Sequence, residues 1–124
     1  MVCLDSEVRS ALVNDAVLIG LLGGEKVYQP NQPGDPDPDK KFPAVVFEEI
    51  NNVPDFAADD LEEMSQITYR LLVYSKASLV PFLNAVERVM IGINFVRHSS
   101  ANIYELPVGV RGKEILFITI RECV

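Results

Sequence analysis

The chain has 124 residues, 18 of them Asp or Glu and 11 Lys or Arg, for a formal charge of −7. That length suits one domain, spanning 1–124, and with 48 % of residues apolar the composition is too hydrophobic for a disordered chain. The acidic balance argues against general binding to a phosphate backbone, and no stretch nears the roughly 20 apolar residues that cross a bilayer.

The start, Met1-Val-Cys-Leu-Asp-Ser-Glu, lacks the basic and apolar regions of a signal peptide, so a soluble product of the cytoplasm is expected. Asp5 or Ser6 caps a first helix, with Leu4, Val8, Ala11 and Leu12 on one face. Asn14-Asp15 interrupts that helix or begins another, and Gly23-Gly24 ends the apolar run Ala16–Leu22. A short strand, Lys26–Gln29, follows. The next residues carry Pro30, Pro33, Pro36, Pro38 and Pro43, which rule out a helix and a central strand, so a long loop is expected at about 30–42.

Ala44–Ile50 reads as a strand inside a sheet, and a second polar loop is expected at about 51–64. The charge is concentrated here. Residues 35–63 hold ten acids and two bases, a balance of −8, while the other 95 residues carry eight acids and nine bases, a balance of +1. The acidity belongs to two loops and the strand between them.

Ile67, Tyr69, Leu71 and Val73 alternate with Thr68, Arg70, Leu72 and Tyr74 along a further strand. Ser78 caps a second major helix, whose apolar stripe runs through Leu79, Phe82, Leu83, Val86, Val89, Met90 and Ile93, with Pro81 tolerated in its first turn. Gly92 and Asn94 close it. Two final strands, roughly Ala101–Val108 and Glu114–Glu122, are joined through the glycines of Gly109-Val-Arg-Gly-Lys.

The order α-β-β-β-α-β-β predicts an α+β fold, a mostly antiparallel sheet of about five strands with helices on one face. The helices can cover only one face of such a sheet. The other is expected to expose Leu72, Tyr74, Ile115 and Phe117 as a subunit interface, because a contiguous apolar patch marks an interaction site.

Little in the sequence suggests chemistry. His98 is the lone histidine, and the adjoining Ser99 and Ser100 lack a nucleophile elbow, so no catalytic residue is assigned. Asp35, Asp37 and Asp39 imitate the opening of a calcium loop, but Lys40 stands where that loop needs Gly and Val46 where it needs Glu. No cofactor or metal site is assigned. Cys3 and Cys123, at opposite ends of the chain, read as reduced thiols.

Several stretches together resemble the tail completion, or head-to-tail joining, proteins of long-tailed phages and prophages, which are related in fold to tail terminators. They are Asn14-Asp-Ala-Val-Leu-Ile-Gly-Leu-Leu-Gly-Gly, Val27-Tyr-Gln-Pro, Phe42-Pro-Ala-Val-Val-Phe, Tyr69-Arg-Leu-Leu-Val-Tyr-Ser-Lys, Leu83-Asn-Ala-Val-Glu-Arg-Val and Ile115-Leu-Phe-Ile-Thr-Ile. The resemblance implies a non-enzymatic virion protein, made in the host cytoplasm and placed at the tail-head junction. Its expected partners are further copies in a ring, commonly a hexamer, the major tail tube protein and the head connector. The isolated chain is expected to be monomeric or weakly associating.

In such a ring DNA only passes through the lumen, and the charged loops would meet partners or line the passage. The residues concerned are Asp35, Asp37, Asp39, Lys40, Lys41, Asp55, Asp59, Asp60, Glu62 and Glu63. Two other readings are carried: a small cytosolic α+β module that binds a ligand or protein on its sheet, and an enzyme built on His98.

Overall fold

The computed structural model describes residues 4–30, 42–54, 64–104, 106 and 108–122. The elements are α1 (Asp5–Val13), α2 (Ala16–Leu22), β1 (Val27–Tyr28), β2 (Ala44–Pro54), β3 (Met64–Ser75), α3 (Val80–Gly92), β4 (Val96–Asn102) and β5 (Arg111–Glu122). The loops expected at 30–42 and 51–64 fall largely outside the described residues, although 51–54 are strand.

The five strands form one sheet in the order β1-β2-β3-β5-β4. The α+β class and the element order match the sequence expectation, but the sheet is mixed. β1 runs parallel to β2, pairing Val27 with Val45, and the remaining pairs are antiparallel. The parallel pair is compatible with the long connection at 29–43, since parallel neighbours cannot be joined by a tight turn.

All three helices contribute to one core on one side of the sheet. Val8 and Leu12 of α1, Leu18 and Leu22 of α2, and Phe82, Val86 and Met90 of α3 are buried with Phe47, Tyr69, Leu71 and Phe117. At its centre Tyr69 packs against Phe47, with ring centroids 6.5 Å apart, and meets Phe95 edge-on at 5.7 Å. The tyrosine hydroxyl donates to the Asp5 carboxylate, which satisfies a polar tip that would otherwise be stranded in the core. Asp5 is thus the first helical residue rather than the cap.

Asp15 divides α1 from α2. Its carboxylate accepts from the Leu18 backbone N–H at 2.9 Å and pairs with Arg88 of α3. The same side chain caps one helix and ties it to another. Asp15→Ala is expected to cost about 1–2 kcal/mol, mostly the lost cap because Arg88 is half-exposed; urea unfolding measures it. Gly23 (φ 76°) ends α2 in the left-handed region.

Ser78 does not cap α3 directly. Its hydroxyl accepts a 3.4 Å bond from Val80 N–H, while Leu79 occupies the cap position. Asn94 (φ 69°) turns the chain out of α3, and Phe95 N–H donates to the Met90 carbonyl. β4 therefore begins at Val96, five residues before the expected Ala101.

Candidate interaction surface

Directly opposed residues in neighbouring strands share a face, so the register assigns every sheet side chain. Tyr69 opposes Phe117, and Leu71 opposes Ile115. Those four lie under the helices, with Phe117 at 0 % and Ile115 at 4 % exposure. This corrects the expectation that Ile115 and Phe117 face outward. Both faces of β5 are apolar, and the helices cover the one that carries the phenylalanine.

Leu72 and Tyr74 do lie on the opposite face, where no described helix packs. Val46 opposes Leu72, which opposes Glu114; Glu48 opposes Arg70, which opposes Leu116; Asn51 opposes Thr68, which opposes Ile118. Val53, Gln66 and Ile120 complete the far end, and Val96 of the edge strand lies beside Ile118. Leu72, Leu116 and Ile118 are partly exposed, while Val53, Val96 and Ile120 are exposed. Leu116, Ile118 and Ile120, which the sequence reading did not assign to the interface, are the β5 residues on this face.

Within this apolar face sits one charge cluster. The Arg70 guanidinium donates to Glu48, and its other terminal nitrogen lies 3.9 Å from Glu114. A guanidinium between two carboxylates, ringed by apolar side chains, fixes orientation in an interface better than it adds affinity.

One end of the face is closed by the chain itself. The Phe42 ring lies 5.7 Å from Tyr74, and the side chains of Ile103, Leu106 and Tyr74 crowd the space above Gly112. Burial raises the Tyr74 phenol above its ordinary value, with Arg70 lowering it and Glu114 raising it further. The neutral form is favoured in the fold. The stability that this preference contributes is intact below the ordinary tyrosine value of about 10 and is lost as pH rises through that value toward the higher folded one. An absorbance titration, differenced against Tyr74→Phe, should show this phenol ionising later than free tyrosine.

The sequence-assigned Asp35, Asp37, Asp39, Lys40, Lys41, Asp55, Asp59, Asp60, Glu62 and Glu63 lie outside the described residues. His98 is exposed on β4, where the pairing with β5 shifts between Arg97 and Ser99. Among the described residues no cluster of three His, Cys, Asp or Glu is placed to hold a metal ion, and no helix is long and apolar enough to cross a membrane.

The sequence matches no known family model and no curated protein. Among solved structures, the fold is similar to that of a chain in the virion of a native gene transfer agent particle. The TM-score is 0.60, over 93 % of this chain and 91 % of that one, at 19 % identity. A likeness at that identity is one of fold.

Proposed function

We propose that this chain is a non-enzymatic structural subunit of a phage-like virion, one that forms a ring on the end of a tail tube and joins it to the head connector. The observation that carries the reading is the uncovered sheet face, in which Leu72, Leu116, Ile118, Ile120, Val53 and Val96 surround Arg70, in a fold shared over nearly its whole length with a virion component. An apolar face with a fixed charge cluster is a surface built for another protein.

A ring needs two unlike patches on each subunit, and it closes when the rotation between neighbours allows. The uncovered face supplies one patch. In this reading the subunit is made in the host cytoplasm and ends at the tail-head junction, commonly as one of six copies. The acidic runs around Asp35 and Asp60 would flank the passage or a partner, and DNA would slide through without adhering to a surface of its own sign.

Electron microscopy of the purified protein mixed with tail tubes tests the proposal: rings should sit on the tube ends. Ile118→Asp combined with Ile120→Asp should leave the fold intact, because both side chains contact water, and should abolish capping. Bare tube ends with the native protein, and a stable monomer with a bound ligand, would favour the ligand-binding module instead.

A further inference from the structure

On the helix side of the sheet α3 stands off from β4, and the gap is a cleft of about 200 Å³. Leu83 and Ile115 form its apolar floor over the fully buried Phe117, and Glu87, Arg97 and Lys113 stand around its rim. Arg97 lies 3.6 Å from Glu87, which offsets part of its charge. Lys113 has no carboxylate partner among the described residues. Among the described residues the rim is therefore net positive, in a chain whose charge is −7.

Such a cleft fits one apolar side chain flanked by acids. It is larger than the cavities of about 150 Å³ that hold a benzene ring in engineered cores. The sequence contains one tract of that composition, Asp59-Asp-Leu-Glu-Glu, in which Leu61 has two acids on either side. It lies in the segment that holds the excess negative charge.

We infer that the cleft between α3 and β4 receives Leu61 and its flanking acids from a second copy of this chain. Its own copy cannot reach. Leu61 precedes Met64 by three residues, which span at most about 11 Å. The accessible floor begins at Ile115, which opposes Leu71, seven residues and about 24 Å along β3 from Met64. A contact between unlike patches on successive copies is head-to-tail, the kind that a ring requires. The inference rests on the ring reading and gives it a second patch; the first acidic run, Asp35 to Asp39, stays with the passage.

Charge exchange tests it. One full-length variant carries Arg97→Glu and Lys113→Glu, and another carries Asp60→Lys and Glu62→Lys. Each alone should self-associate at least tenfold more weakly than the native chain by sedimentation. Mixed in equal amounts they should associate again, because the native cleft of one variant then faces the acidic segment of the other, and the reversed cleft faces a segment whose charge has been cancelled. Lys113→Glu alone, a change at a partly exposed site, guards against misfolding, and thermal melts by circular dichroism check all variants.

Independently of assembly, a synthetic peptide with the sequence of residues 55–63 should bind the native chain saturably and lose at least tenfold in affinity to the Lys113→Glu variant. Native-like association of the single variants, failure of the mixture to recover, or no peptide binding would each overturn the inference. If tube ends are capped by native and cleft variants alike, the ring reading survives and the cleft assignment falls. If the peptide binds and the charge exchange works while tube ends stay bare, the reverse holds.

Discussion

Phe117→Ala should lower the unfolding free energy by about 3–5 kcal/mol, while Leu72→Ala, on the adjacent strand β3 and on the other face, should cost roughly 1 kcal/mol or less. The contrast follows from burial. Phe117 is 0 % exposed, opposes Tyr69 and lies under the helices, so truncating it leaves a cavity that the surrounding aromatic side chains cannot collapse into. Leu72 is partly exposed and shares its row with Val46 and Glu114, so its truncation opens to solvent. Urea unfolding of the two variants under one set of conditions decides between the faces. Equal losses would mean that β5 is turned over relative to β3, which would also move Ile118 and Ile120 into the core. In assembly the order reverses, since Leu72→Ala weakens the proposed subunit contact and Phe117→Ala acts only through the folded fraction.

Arg121→Ala should cost about 2–3 kcal/mol, more than its position near the end of β5 suggests. Its guanidinium donates to the Ile93 carbonyl, to Thr119 Oγ1 at 3.2 Å and to Glu7 at 2.8 Å, and lies 5.7 Å from the centre of the Phe95 ring. One side chain thus joins β5 to the end of α3 and to α1. The contributions are unequal. Glu7 is largely exposed, so its ion pair is worth at most about 1 kcal/mol, whereas removing the arginine leaves the Ile93 carbonyl without a charged donor in a half-buried setting. A double-mutant cycle with Glu7→Gln should return a coupling below about 1 kcal/mol, and high salt should reduce that coupling while leaving most of the Arg121→Ala loss in place. A coupling equal to the whole loss would mean that the arginine works through Glu7 alone.

The helices and two of the central strands were legible because their periodicity is one-sided. The stripe from Leu79 to Ile93 has a single apolar face, and it is the face that α3 buries. β3 alternates, so the face that carries Leu72 and Tyr74 is distinguishable from the one that carries Ile67, Tyr69, Leu71 and Val73. β5 does not, since Ile115 and Phe117 on one side and Leu116, Ile118 and Ile120 on the other are all apolar, and only the register with β3 distinguishes them. β4 gave little signal for the opposite reason. Val-Arg-His-Ser-Ser-Ala-Asn is exposed along its whole length, so nothing in burial imposes a pattern on it, and the expected strand slid to Ala101–Val108. The parallel pairing of β1 rests on two residues and on a connection whose path no local residue choice encodes. The cleft was invisible to sequence reasoning, since it is lined by residues of α3, β4 and β5 that only the fold brings together.

The sheet order has a consequence for how the molecule is made. β5 is the last strand in the chain but lies between β3 and β4, and it carries most of the long-range pairing of both. Until residues 111–122 have left the ribosome, β4 has no neighbour and β3 has only β2. Local helices can form early, but the sheet must wait for contacts that join positions 36 to 58 residues apart, so its closure follows the synthesis of β5. The uncovered face is therefore completed late, when β5 inserts. In a growing chain the share of the face that β5 carries, Leu116, Ile118 and Ile120, is still missing, so the surface proposed for assembly is incomplete until the last strand is in place.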